Sequence, residues 1–323
     1  MKCGLQDLDP AAENLFACSF YTFRKEMTRI SMLEKKSIDI GKENLAYLDE
    51  GKGEVIVLIH GNMSSSVHFT PLIENLKDSY RCVAPDLRGF GDSSYNNRFD
   101  SLDELAEDTK LFMDKLGIES AFVVGWSTGG GIGLKLAAMY PEKVKKLFSI
   151  EGAGHRGYPI FKKDAAFQST GEPYASKDEM AMDMVQVAPM LPIFANKDAA
   201  TMTNVWKASI YLVNEPTPEE SELWISETLK QRNLVDVDWS LAVLNMSDVD
   251  GPYSKGDGSI KQVKCPVALT TGDKDIVVPP AMIEDNANAL GELATLIRYE
   301  NCAHSPLVDC LDTLTTDIKN FFI

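Results

Sequence analysis

The chain has 323 residues, and its 44% hydrophobic and 25% charged residues are typical of a globular protein. Lysine and arginine number 32 against 48 aspartates and glutamates, and the resulting net charge of −16 argues against nucleic acid as a partner. Six cysteines occur without a C-x-x-C pair or a cluster with histidine, so we expect no metal site and no disulfide framework, and scattered thiols indicate the cytoplasm.

Residues 1–34 are predicted to form an N-terminal helical extension. Asp9 and Pro10 are a helix-start signal, and apolar residues then recur at helical spacing from Leu15 to Met27. The apolar run at 15–23 is shorter than the ~18 residues of a membrane span and follows acidic rather than basic residues. We therefore expect a docked helix, with no signal peptide and no stable membrane insertion.

From residue 35 onward, short β-like runs alternate with helical segments. Strands are predicted over 37–40, 45–48, 55–59, 81–84, 121–124 and 147–150, and helices over 67–77, 102–116 and 130–140. Several strands are continuous apolar runs, which are typical of a mostly parallel sheet covered by helices on both faces. The fold class is therefore α/β, and we expect the first two strands to form an antiparallel edge.

After Gly152 this alternation is interrupted. Prolines punctuate a stretch that carries three of the four tryptophans (Trp206, Trp224, Trp239) and several methionines, with helices predicted over 199–212 and 219–230. A strand over 266–271, a helix over 280–290, a strand over 295–299 and a helix over 311–321 then restore the pattern. The predicted domains are a core of 35–152 and 263–323 and a helical cap of 153–262. The methionines of the cap are as well suited to filling core gaps as to shaping an apolar pocket.

A serine stands where a predicted strand turns abruptly into a helix, in Gly125-Trp126-Ser127-Thr128-Gly129. This is the G-x-S-x-G nucleophile elbow, in which small flanking residues permit a tight turn and the hydroxyl is lifted clear of the sheet. The first N–H groups of the following helix point at the oxyanion that forms on attack. Ser127 is therefore the predicted nucleophile.

A serine hydroxyl needs a base, and four histidines are available. His304 follows the last predicted strand in a short loop before the terminal helix, where it can reach the sheet edge, and it is the predicted base. His60 ends a buried strand and His68 lies on a predicted helix, so we expect structural roles for both. His155 enters the cap, where it could line the pocket, but we expect a solvent-exposed loop residue instead.

The base in turn needs a carboxylate that fixes its tautomer. Asp273 and Asp275 both follow the strand predicted at 266–271, and either one satisfies the chain order serine, acid, histidine. Glu151, which follows the strand ending at Ile150, is a third candidate, with lining the cap hinge as its alternative role. The second oxyanion donor is expected from the loop His60-Gly61-Asn62, where Gly61 permits a sharp bend.

These motifs together resemble those of the α/β-hydrolase superfamily, in particular its capped serine hydrolases with an HG-x oxyanion loop. The resemblance runs from about residue 37 to the C-terminus, leaving out the cap. It implies an eight-stranded sheet, a cap inserted after the sixth strand, no cofactor and an acyl-enzyme mechanism. In the family pattern the acid is Asp275 rather than Asp273, and the N–H groups of Asn62 and Thr128 form the oxyanion hole.

The predicted function is hydrolysis of a small carboxylic ester or lactone with an apolar acyl or alcohol part, and Trp126 and Met63 are expected to contact the substrate. The loop at 60–66 is also similar to that of haloalkane dehalogenases, but those enzymes need an aspartate where this chain has Ser127. Four alternatives stay open: a C–C bond hydrolase, an aminopeptidase using cap carboxylates at 178–179 and 219–222, a polyester or lipid depolymerase, and a slow-turnover ligand receptor. The oligomeric state is not predicted.

Overall fold

An eight-stranded sheet organises residues 33–323, the part of the chain that the computed structural model describes. The strands are β1 (Lys36–Asp39), β2 (Asn44–Gly51), β3 (Glu54–Ile59), β4 (Tyr80–Pro85), β5 (Ala121–Trp126), β6 (Val144–Ile150), β9 (Val267–Gly272) and β10 (Ala294–Tyr299). Their order in the sheet is β1-β2-β4-β3-β5-β6-β9-β10. The predicted helix within residues 1–34 lies almost wholly outside the described residues.

The pairing pattern confirms the predicted α/β sheet. Strand β1 pairs antiparallel with β2, and β2 pairs antiparallel with β4, whereas every other pairing in this sheet is parallel. All six residues of β5 are buried, as are the last four of β3. Strands buried on both faces require apolar residues at consecutive positions, which is why these segments are continuous apolar runs.

Helices pack against the strands of the sheet. They are α1 (Thr70–Leu76), α2 (Leu102–Lys115), α3 (Thr128–Met139), α4 (Lys177–Met180), α5 (Met190–Asn196), α6 (Ala199–Ser209), α7 (Pro218–Thr228), α8 (Leu234–Val243), α9 (Pro280–Leu290), α10 (Pro306–Asp309) and α11 (Leu311–Phe322), with short 3-10 helices at Ser66–Phe69, Pro141–Lys143, Ser259–Gln262 and Gly291–Leu293. None of the helices in the described range is long and apolar enough to cross a membrane.

The segment between the adjacent sheet strands β6 and β9 is hereafter called the insertion (153–262). It is not wholly helical, because β7 (Phe161–Lys163) and β8 (Ser169–Pro173) form a separate antiparallel hairpin. These strands are short and largely polar, so they give no alternating apolar signal. Helix α8 was also not predicted, since its sequence begins Leu-Val-Asp-Val-Asp and alternates as a strand would.

Candidate active site

Ser127 occupies a strained turn between β5 and α3, with φ 56° and ψ −121°. The turn brings α3 close to the neighbouring strands: a Cβ on Gly129 would lie 1.9 Å from the carbonyl oxygen of Ile59, and one on Gly125 would lie 2.3 Å from that of Gly129. Only glycine fits at both positions. Backbone strain at one polar residue flanked by such contacts is typical of functional sites.

His304 and Asp275 are joined by a hydrogen bond of 2.8 Å between Nδ1 and Oδ2, and both side chains are buried. The other Asp275 oxygen accepts the backbone N–H groups of Val277 and Val278, at 2.7 and 3.0 Å. The indole N–H of Trp126 donates to the carbonyl oxygen of His304 at 2.8 Å. Asp275 thus fixes the ring and Trp126 fixes the backbone of the histidine loop.

The other two acid candidates do not bond to His304. Asp273 is exposed, pairs with Lys274 at 3.0 Å and accepts the N–H of Cys302, so it caps the histidine loop. Glu151 has a left-handed φ of 44° and is fully buried, accepting hydrogen bonds from Thr270 Oγ1 and the N–H of Gly272. Burial, followed by the neighbouring Asp275 charge, raises the pKa of Glu151 well above its usual value, so both favour the neutral form of this carboxyl.

The loop after β3 passes directly over the serine. A Cβ on Gly61 would lie 2.8 Å from Ser127 Cβ, so a side chain at this position would displace one of the two. The Asn62 N–H donates no hydrogen bond to any group of the described residues. Thr128 is the first residue of α3, so its N–H has no partner inside the helix. Both predicted oxyanion donors therefore belong to backbone adjoining Ser127.

Side chains from the insertion hold this loop in place. Gln231 donates to Asn62 Oδ1 at 2.8 Å and accepts the N–H of Met63 at 3.0 Å. The hydroxyl of Thr228 donates to the Met63 carbonyl oxygen at 2.7 Å, and Asn62 Nδ2 donates to Asp238 Oδ1 at 3.1 Å. The oxyanion loop and the insertion are thus one connected hydrogen-bonded unit.

A cavity of about 390 Å³ joins these groups. All of the predicted nucleophile, base, oxyanion and substrate-contact residues line it, whereas Asp275 stands behind His304. Within the described residues, Ser127 Oγ and the His304 ring are not hydrogen-bonded to each other, and such bonds often tighten only when a substrate binds. The wall is mostly apolar. Its apolar residues from the insertion and from the loop after β9 include Ile160, Met190, Val205, Trp206, Ile210, Leu234, Leu241, Val277 and Val278.

Sequence reasoning missed Asp238, a carboxyl on α8 that also lines the cavity. Burial raises its pKa to about 7, with the nearby Asp183 charge adding to the rise and the Asn62 hydrogen bond opposing it. The signal in the sequence that could have identified Asp238 is its position inside the largely apolar segment 234–243. The cap carboxylates weighed for an amine site, at 178–179 and 219–222, are not among the cavity residues.

The remaining histidines have structural partners. His60 is buried, accepts the N–H of Leu87 at Nε2, and its pKa falls to about 4 because of burial. His68 lies stacked between Trp206 and Trp224, with ring centroids 5.2 and 5.4 Å away. The expectation of an exposed His155 was wrong: this side chain is buried because its Nδ1 and backbone N both contact Asn286 Oδ1 on α9.

Three carboxylates outside the cavity lie close enough to hold a metal ion: Asp86, Asp92 and Glu227. The ammonium of Lys35 already lies among them, 2.8, 2.8 and 2.7 Å from one oxygen of each. These contacts raise the pKa of Lys35 despite burial, so its positive charge is retained. The cluster is therefore a lysine-centred ion-pair network rather than a metal centre.

Comparisons with known proteins identify the fold family of this chain. A family model described as the alpha/beta hydrolase fold matches residues 54–309. Lipase 1 of Psychrobacter immobilis is 27% identical over 297 residues, which cover 90% of this chain and 84% of the lipase. A pimeloyl-(acyl-carrier protein) methyl ester esterase of Nitrosomonas europaea is 26% identical over 282 residues, covering 82% and 96%. The enol-lactonase of Burkholderia xenovorans LB400 shares the fold, with a TM-score of 0.68 at 17% identity over 89% of this chain and 99% of that one.

Proposed function

The chain belongs to the α/β-hydrolase family and is a hydrolase, and from that premise we propose that it cleaves small carboxylic esters or lactones through an acyl-enzyme on Ser127. The observation that carries this proposal is the convergence of four features on one cavity. These are the strained serine, the His304–Asp275 pair, the N–H groups of Asn62 and Thr128, and a mostly apolar wall.

In the proposed first step, His304 Nε2 takes the proton of Ser127 as its oxygen attacks the substrate carbonyl. Asp275 holds Nδ1–H and stabilises the imidazolium that forms. The N–H groups of Asn62 and Thr128 bind the oxyanion, and the imidazolium then protonates the departing alcohol. In the second step His304 deprotonates a water molecule that attacks the acyl-enzyme, and Ser127 regains its proton as the acid leaves.

We further propose that the insertion acts as a cap that determines substrate choice. It supplies much of the cavity wall and holds the oxyanion loop through Gln231, Thr228 and Asp238. The 390 Å³ volume lies near the lower end of the range for small-molecule sites, which favours short and medium acyl chains over long ones.

The cavity also bears on the alternative reactions. A C–C bond hydrolase of the kind considered would bind a substrate carboxylate, yet no lysine or arginine of the described range lines the cavity. The carboxyl of Asp238, which would repel a substrate carboxylate once ionised, stands there instead. This favours the ester or lactone reaction over the C–C bond reaction.

The test is a chain-length series of p-nitrophenyl esters, from acetate to palmitate, with the wild-type protein and Ser127→Ala. We expect kcat/KM to be highest for short or medium chains and Ser127→Ala to lose at least a thousandfold while keeping its circular dichroism spectrum. Hydrolysis by Ser127→Ala at the wild-type rate would refute the nucleophile assignment. An absence of ester hydrolysis by the folded wild-type protein would favour the receptor alternative.

A further inference from the structure

Asp238 is a carboxyl group in a mostly apolar cavity, and few hydrogen-bond donors or positive charges lie near it. Its Oδ1 accepts one hydrogen bond, from Asn62 Nδ2 at 3.1 Å, and no second hydrogen bond to the carboxyl occurs within the described residues. The side chain is half-buried, because part of it faces the cavity. No cationic side chain of the described range lines the same cavity.

An unpaired acceptor in such surroundings favours one chemical class of ligand. A carboxylate in apolar surroundings without enough hydrogen bonds is costly, and a ligand that donates to it removes part of that cost. Hydrogen bonds to charged groups are stronger than those between neutral groups. A ligand carboxylate at the same place would be repelled, and a purely apolar ligand would leave the oxygen without a donor.

The connection through Asn62 also fixes where the ligand's donor group must lie. The side chain of Asn62 holds Asp238, whereas its backbone N–H adjoins Ser127 as a proposed oxyanion donor. One residue therefore connects the carboxyl with the reacting carbonyl. A substrate group that reaches Asp238 is accordingly only a few atoms from the scissile bond.

We propose that Asp238 is a specificity-determining residue that accepts a hydrogen bond from a hydroxyl or ammonium group on the substrate. The protein thus selects esters with a donor group near the scissile carbonyl over esters that carry a carboxylate there. This inference rests on the proposed ester hydrolysis at Ser127, and it names the substrate class of that same site.

The first test compares four ethyl esters of similar size: butanoate, 3-hydroxybutanoate, 3-aminobutanoate and monoethyl succinate, at pH 8, where burial alone no longer keeps Asp238 protonated. We expect kcat/KM for at least one of the two donor esters to exceed that for butanoate tenfold, and the value for the succinate to be tenfold lower than for butanoate. The hydroxy and amino arms distinguish a neutral from a charged donor. Equal rates for butanoate and both donor esters, or a succinate that reacts as well as butanoate, would overturn the proposal.

The second test changes the carboxyl. In Asp238→Asn the charge is lost while an oxygen is kept for Asn62, and we expect the ratio of kcat/KM for the preferred donor ester to that for butanoate to fall tenfold. The matched control is Asp178→Asn, an exposed aspartate of the insertion outside the cavity, which should leave this ratio unchanged. An unchanged ratio in folded Asp238→Asn would contradict the proposal. If that variant does not fold, the wild-type series decides.

A binding measurement separates this inference from the proposed reaction. With Ser127→Ala protein, the same four esters at equal concentration are tested for their effect on Tm, which does not require turnover. A higher Tm with a donor ester than with butanoate or monoethyl succinate supports the inference even if no ester is hydrolysed by the wild-type protein. Hydrolysis of all four without discrimination, and equal Tm values, would leave ester hydrolysis standing and refute the role of Asp238.

Discussion

Two aspartates that are two residues apart have different surroundings, and this difference predicts their effects on rate. Asp275 is buried and bonded to His304, whereas Asp273 is exposed and caps the histidine loop. We expect Asp275→Asn to lower kcat by on the order of 10⁴, because the asparagine stabilises the wrong histidine tautomer. The control Asp273→Asn should stay within a few fold in the same p-nitrophenyl ester assay. A large loss in Asp273→Asn alone would move the acid assignment.

Glu151 provides a prediction about stability and pH. Its pKa in the folded protein is raised above the ordinary value of 4.5 by burial and by Asp275, so the folded state binds a proton that the unfolded state releases. Stability from this group is therefore fully present below pH 4.5 and is lost as the pH rises through the folded pKa. Glutamine stays neutral and can still donate to Asp275.

We therefore expect the stability of Glu151→Gln relative to wild type to grow with pH above 4.5, by up to about 1.4 kcal/mol per pH unit. The measurement is urea unfolding from pH 5 to pH 9. The control is Glu219→Gln, an exposed residue at the start of α7, which should show a pH-independent difference. A flat difference for Glu151→Gln would mean that this carboxyl is ionised in the folded state.

At the scale of single residues, the roles that could be predicted from the sequence are those that depend on neighbouring residues in the chain. The strand-turn-helix setting of Ser127 and the loop setting of His304 could be predicted from neighbouring residues, and the family pattern favoured Asp275. The contact of Glu151 with Asp275 and the exposure of Asp238 to the cavity could not. Each depends on packing between segments that are distant in the chain, and the same is true of the burial of His155 against Asn286.

At the scale of elements, the link between α7 and α8 positions the loop after β3. Gln231 bonds to both Asn62 and Met63, and it is buried. Gln231→Leu removes both hydrogen bonds while keeping a similar side-chain size, so the Asn62 N–H loses its fixed direction. We expect kcat to fall about tenfold, less than the 10²–10³ for outright removal of an oxyanion donor.

The control for this change is Gln168→Leu, in the exposed hairpin of the insertion, which should leave kcat unchanged. Both variants are assayed with the preferred p-nitrophenyl ester and checked by Tm. Normal kcat in folded Gln231→Leu would show that the loop is held by its own backbone.

The elements of the sheet were predictable because strands buried on both faces and amphipathic helices leave strong patterns. The elements of the insertion were harder to predict. Its hairpin, Phe161–Lys163 with Ser169–Pro173, is too short and polar to give a pattern, and α8 alternates like a strand because its aspartates serve ion pairing and the cavity rather than solvent. Contacts with distant parts of the chain, rather than local propensity, account for the aspartates of α8.

At the scale of the whole molecule, the net charge of −16 creates a long-range field. A negative potential raises the local concentration of cationic substrates, and salt screens it with a Debye length of about 10 Å at 0.1 M. We expect kcat/KM for ethyl 3-aminobutanoate to fall several fold between 10 and 300 mM NaCl, while that for ethyl butanoate stays constant. The same salt response for both esters would exclude electrostatic attraction as a contribution.

The most direct test of the central claim is reaction with an alkyl fluorophosphonate, followed by mass spectrometry of the intact protein and its peptides. The proposed mechanism predicts a single adduct on the peptide containing Ser127, with its absence in folded Ser127→Ala and slower formation in Asp275→Asn. An adduct on another residue, or equal labelling of Ser127→Ala, would contradict the assignment of Ser127 as the nucleophile.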